Sequence, residues 1–172
     1  MTNNTGTAPL SVEVTRQEMH SRLIDMRGWG QSDGPYEVEG RVVDRKPHEF
    51  KSPNGFKVVP AGEPIHDMGV KLVFDSEMLV REVSTFTAAA PYGDCLSAGQ
   101  TIQTLKGLRI GAGWGAEVRK RLGREQSCTH LMELLFPMAT VALQTLIRFR
   151  ADVVRRNWPA FYTGPKDKSD PT

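Results

Sequence analysis

The chain has 172 residues, 39% hydrophobic and 24% charged, with a net charge of +2. That size and balance fit one globular domain able to bury its own core, and they give no electrostatic case for binding nucleic acid or a membrane surface. Two cysteines are too few for a disulfide framework, the polar start Met1–Pro9 lacks a signal-type apolar run, and no stretch reads as transmembrane, so the expected setting is cytoplasmic.

In chain order, residues 1–10 and 164–172 read as disordered tails around a single domain, 11–163. Ser11–Val14 and Arg22–Gly28 predict short strands. The cluster Gln31-Ser32-Asp33-Gly34-Pro35 is a turn, and Tyr36, Val38, Gly40 and Val42 then alternate with polar neighbours, the period of a half-buried strand. The two flanks of Asp33-Gly34 therefore predict a β-hairpin. Lys46–Pro64, rich in proline and glycine, predicts a loop. Ile65–Phe74 and Met78–Phe86 predict a second hairpin around Asp75-Ser76-Glu77, with Met68, Val70, Leu72 and Phe74 on one face.

Helical character follows. Leu96–Lys106 predicts a short helix ending at Gly107, and Trp114–Leu122 another ending at Gly123. The longest starts near Ser127, with Leu131, Leu134, Leu135, Met138, Ala142, Leu146 and Phe149 on one stripe and Pro137 marking a kink or a close approach. Asp152–Trp158 predicts a last helical piece. Strands first and helices second predict an α+β fold: an antiparallel sheet of four to six strands with three or four helices packed on one face.

Chemistry concentrates at Ser127-Cys128-Thr129-His130-Leu131-Met132-Glu133. A thiol at a helix start feels the positive end of the dipole, which favours thiolate. Ser127 or Thr129 is suited to cap the helix, and His130 and Glu133, three apart, share a flank where a carboxylate can orient an imidazole. A second cluster, Glu63, His66 and Asp67, sits where a loop enters a strand; adjacent His66 and Asp67 point to opposite faces once the strand has begun. Cys95 precedes a helix. The glycines 107, 111, 113 and 115 join two helices, which excludes the strand–helix context of a dinucleotide loop. Trp29, Tyr36, Tyr92 and Trp114 serve equally as pocket or core. The basic residues Arg119, Lys120, Arg121 and Arg124 read as a solvated helix face.

Three stretches together carry a resemblance: Pro60-Ala61-Gly62-Glu63-Pro64-Ile65-His66-Asp67-Met68, Leu105-Lys106-Gly107-Leu108-Arg109-Ile110-Gly111-Ala112-Gly113-Trp114, and Cys128-Thr129-His130-Leu131-Met132-Glu133-Leu134-Leu135 with Pro137-Met138-Ala139-Thr140. On these the chain resembles the bacterial family known as domain of unknown function 2889, from about Arg22 to Gly164. The resemblance implies no settled activity. It also implies a further Asp-x-Cys-His segment after the long helix, which this chain lacks, passing from Phe149-Arg150 into Asp152-Val153-Val154. The order of strand meander, Cys95, helix and Cys128 looks more loosely like the NifU-type iron–sulfur scaffolds, with His66-Asp67 where those proteins have a further cysteine.

The expected function is a small cytoplasmic enzyme acting on an organic molecule, aromatic compounds included, without a nucleotide cofactor. The reaction is a lyase of retro-aldol type. His66 or His130 is the base, Asp67 or Glu133 orients it or acts as acid, and Tyr92, Arg109 and Glu63 bind substrate. One alternative is a zinc or iron site on His66, Asp67, Cys95 and Cys128. Another is a non-catalytic partner subunit, with Met132 and Leu143 off the core stripe as a homo-oligomer contact.

Overall fold

A computed structural model describes residues 15–30, 34–53, 57–93, 99–123, 126–147 and 155–156. Six strands come first: β1 (Ser21–Gly30), β2 (Tyr36–Arg45), β3 (Phe50–Lys51), β4 (Val58–Val59), β5 (Pro64–Phe74) and β6 (Val80–Ala89). A short helix α1 (Gly99–Ile102) tightens into a 3-10 turn (Gln103–Leu105), followed by α2 (Trp114–Leu122) and α3 (Thr129–Ile147). The main sheet is antiparallel in the order β1-β2-β5-β6, and β3 and β4 form a separate small ribbon. This is the α+β fold that strands followed by helices predict.

The period-two pattern sets which side of the sheet is covered. Tyr36, Val38 and Val42 of β2, with Met68, Val70, Leu72 and Phe74 of β5, are buried under Leu131, Leu134, Leu135, Met138, Ala142 and Leu146 of α3. The helix lies close on β1 and β2 because glycine gives it room. A Cβ on Gly28 would stand 1.8 Å from Thr145 Oγ1, and one on Gly40 would stand 3.0 Å from Met138 Sδ. α2 braces α3 from the side, with the buried Trp114 indole N–H donating to the Leu135 carbonyl at 2.8 Å. α3 is long and apolar enough to cross a membrane, contrary to the expectation from the sequence, but its apolar stripe lies on the sheet.

Several expectations change. The loop predicted over Lys46–Pro64 contains the β3–β4 ribbon. The helix predicted over Leu96–Lys106 is, among the described residues, one turn and a 3-10 turn, closed at Gly107 with φ 84°. Pro137 lies on the exposed side of an uninterrupted helix, so it marks no close approach to the core. Leu143 is 4% exposed and Met132 packs against the core, because α3 touches both the sheet and α2 and so buries a wider arc than one stripe. That takes Leu143 out of reach of a subunit contact and leaves Met132 only partly accessible. Ser11–Val14, Phe149, most of Asp152–Trp158 and both predicted tails lie outside the described residues.

Leu135→Ala leaves a cavity between α3, α2 and the sheet and should cost about 2–5 kcal/mol in urea unfolding; a loss under about 1 kcal/mol would mean the helix is not seated there. In the β5–β6 turn, Asp75 accepts the Glu77 and Leu79 N–H groups and pairs with Arg81. Burial pushes its carboxyl up, but those backbone bonds and Arg81 outweigh burial and hold it below the usual range. A depressed carboxyl stabilises the fold above its unfolded pKa, near 4, and that contribution is lost as pH falls through the lower folded value. Asp75→Asn should therefore destabilise at neutral pH and flatten the acid limb of a stability–pH profile; an unchanged limb would count against this assignment.

Candidate functional site

Three neighbouring strands set three polar side chains in one row on the covered face. Arg22 of β1 pairs with Asp44 of β2, and Asp44 pairs with His66 of β5. The first turn of α3 passes over this row, bringing His130 and Glu133, with Cys128 just before it.

Asp44 is the centre, only 1% exposed. Arg22 grips it twice, Nε donating to Oδ1 at 2.7 Å and Nη2 to Oδ2 at 3.0 Å, and reaches Glu133 with Nη1 at 3.1 Å. His66 Nδ1 stands 3.1 Å and His130 Nε2 3.4 Å from the same Oδ2, and His20 Nε2 lies 3.5 Å from Oδ1. The His66 and His130 rings pack on each other with centroids 3.9 Å apart. The approach of His66 Nδ1 is close but poorly aligned, so this buried nitrogen makes no hydrogen bond.

Cys128 takes the N-cap position of α3, its carbonyl accepting the Met132 N–H at 3.0 Å. Its sulfur lies 3.8 Å from His130 Nδ1 and 3.7 Å from Met68 Sδ. The expected hydroxyl cap is therefore replaced by a thiol: Ser127 Oγ is buried without a partner, and Thr129 already begins the helix.

The charges are arranged consistently. Burial pushes the Asp44 carboxyl up, but the Arg22 guanidinium outweighs it, helped by the imidazoles, and holds the group below the carboxylate range. Burial, then the neighbouring His130, lowers His66, which favours the neutral ring. For Cys128, burial works upward but is overcome by His130 and by the Leu131 and His130 N–H groups, so the thiol is lowered. The contact with Cys128 raises His130 against its own burial. The contact thus makes the thiol more acidic and the imidazole more basic than either would be alone at a helix start.

Of the residues expected from sequence, His66, Cys128, His130 and Glu133 meet here. Asp67 does not: it faces the other side of the sheet, held by Arg41 at 2.7 and 2.6 Å, as alternation along a strand requires. Arg109 is bonded to the Glu77 carbonyl beside the Leu79 bridge, next to the end of β5 remote from His66. That removes it from substrate binding at this centre. Tyr92 is exposed in a shallow depression with Lys57, Ala90 and Pro91, and Glu63 is exposed in the turn before β5. Cys95 lies outside the described residues. The four aromatics do not form one pocket, since Tyr36 stacks on Phe74, Trp114 is in the core and Trp29 is exposed. A depression of about 400 Å³ on the bare sheet face, walled by Trp29, Arg41 and Phe86, contains none of the imidazoles.

Sequence reading missed Asp44, Arg22 and His20. The signal for Asp44 was present: it continues the buried set Val38, Gly40, Val42 by one more step of two, a carboxylate on a core face.

The fold and site thus define an α+β domain with a buried carboxylate, two imidazoles and a thiol beneath its long helix. The chain belongs to the family described as protein of unknown function (DUF2889), whose profile matches residues 20–144. That span begins at His20 and includes Arg22, Asp44, His66, Cys128, His130 and Glu133. No curated protein and no solved structure matches the chain.

Arg22→Met would leave the Asp44 carboxylate buried with no permanent cation. Arg22 is partly exposed, so the loss should be moderated to about 2–4 kcal/mol. Asp67→Asn, at a pair open to solvent through Arg41, should cost about 1 kcal/mol or less. Equal losses in denaturant unfolding would contradict the central place of Asp44.

Proposed function

We propose that this protein is a small-molecule lyase of retro-aldol type whose reaction centre is the side-chain cluster of Asp44, His66 and His130. One observation carries the reading: a single buried carboxylate faces two imidazoles in ring contact, with a lowered thiol and a second carboxylate at the rim. Groups of this kind, clustered and partly shielded from water, suit proton transfer.

In this reading His66 turns Nδ1 toward Asp44 and offers Nε2 to the substrate. It takes the proton of a hydroxyl group, the adjacent C–C bond breaks, and the hydroxyl-bearing carbon leaves as an aldehyde. The bonding pair goes to the other carbon, which needs a carbonyl or conjugated aryl group to spread it, and a proton is then returned there. The proton returned is the one His66 took from the hydroxyl, and Glu133, half exposed and tied to Arg22, orients the guanidinium beside the reacting groups. The step is redox-neutral and consumes no water. His130 is held at both nitrogens, by Asp44 and by Cys128, which suits it to shape the site rather than to exchange with substrate.

The test is aldehyde release from a panel of β-hydroxy ketones and of phenols bearing an ortho or para hydroxymethyl group, whose keto tautomer supplies the carbonyl. His66→Ala should lower turnover by about 10²–10⁴-fold, with the far-ultraviolet dichroism unchanged. Cys128→Ser should stay within an order of magnitude of the parent. Unaltered turnover in a His66→Ala, His130→Ala double variant would end this reading.

A further inference from the structure

We infer that Asp44 Oδ2, His66 Nδ1 and His130 Nε2 form a binding site for one divalent transition-metal ion, with zinc the ion of first choice. The inference shares the cluster proposed above as reaction centre but does not rest on the lyase reaction. It also replaces the metal set expected from sequence, in which Asp67 faces the wrong side of the sheet.

The spacing is the first argument. Tetrahedral zinc with bonds of 2.0–2.2 Å sets its donor atoms roughly 3.3 Å apart. The two imidazole nitrogens stand 3.1 and 3.4 Å from the carboxylate oxygen, and all three donors lie within 4.8 Å of one another. The donors come from β2, β5 and α3, so they are fixed by the packed core rather than by a loop.

The second argument is independent of spacing. His66 Nδ1 is buried with no hydrogen bond, although a carboxylate oxygen is beside it. A buried nitrogen in that condition costs free energy, and an ion shared with Oδ2, which already accepts from Arg22 Nη2, would satisfy it.

The surroundings match what ligands need. Metal-bound imidazole usually engages its other nitrogen, and a ligating carboxylate is usually hydrogen-bonded in turn. His130 Nδ1 faces Cys128, and Asp44 Oδ1 accepts from Arg22. Arg22 adds a positive charge that opposes a cation, but Glu133 sits on its far side, so two carboxylates face one guanidinium. Two nitrogens and one oxygen suit zinc, and also iron(II) with open positions. The open positions are where a substrate hydroxyl would bind; with the ion in place the imidazoles hold it and do not carry the proton.

The experiment uses untagged full-length protein, stripped with chelator and titrated with zinc alone, then with cobalt(II) and, without air, iron(II). One equivalent of zinc should bind and raise the melting temperature, and cobalt should give the visible spectrum of a tetrahedral site with nitrogen and oxygen donors. His66→Ala and His130→Ala should each weaken zinc by at least about 100-fold. Asp67→Asn, on the other face of the sheet, should bind as the parent does. Should Asp44→Asn fail to fold, the two histidine variants still decide. No stoichiometric binding by the parent, equal binding by parent and His66→Ala, or loss in Asp67→Asn would each overturn the site. The two proposals fail separately: zinc bound without any turnover keeps this site and sinks the lyase, while chelator-insensitive turnover without zinc binding does the reverse.

Discussion

Removing the Asp44 carboxylate from water is the condition around which the rest of this molecule is arranged. A carboxylate almost fully buried is unfavourable unless cations or donors replace its hydration. Arg22 supplies two directed bonds from the neighbouring strand, and His20, His66 and His130 crowd the same two oxygens. Each partner comes from a different place in the chain, so the carboxylate ties β1, β5 and the start of α3 to the middle of the sheet.

The apolar core explains why those partners can be held so closely. Glycines on β1 and β2 let α3 settle against the strands, and Trp114 anchors the helix at Leu135. The first turn is then fixed over Asp44 by packing farther along. The thiol cap follows from the same placement. A serine there would cap as well, but Cys128 adds a polarisable group that touches both His130 and Met68.

Much of the fold was legible because it rests on local periodicity. Alternation identified β2 and β5, the 3.6-residue stripe identified α3, and Trp114–Leu122 was read to the residue between its glycines. The centre was legible only in pieces. Cys128, His130 and Glu133 stand out as a cluster in sequence, and His66 stands out at a strand entrance. Their meeting depends on strand pairing and helix placement, which are long-range. Asp44 and Arg22 look like ordinary strand-end charges until pairing sets them side by side. Leu143 misled for a related reason: the width of a helix's buried arc depends on how many elements lean on it.

The row Arg22–Asp44–His66 has a consequence for how the sheet chooses its alignment. A shift of β1 by one residue turns its side chains to the other face and brings Arg27 or Trp29 to the place of Gly28, where Thr145 leaves no room for a side chain. A shift by two keeps the faces correct, and the mixed, largely exposed residues of β1 discriminate poorly against it. Such a shift would set His20 or Ile24 opposite Asp44 in place of Arg22, leaving the buried carboxylate without its guanidinium. The same charges that equip the cluster therefore act as a proofreading mark for strand alignment, and the edge strand gains from a polar row the specificity that its apolar residues do not supply.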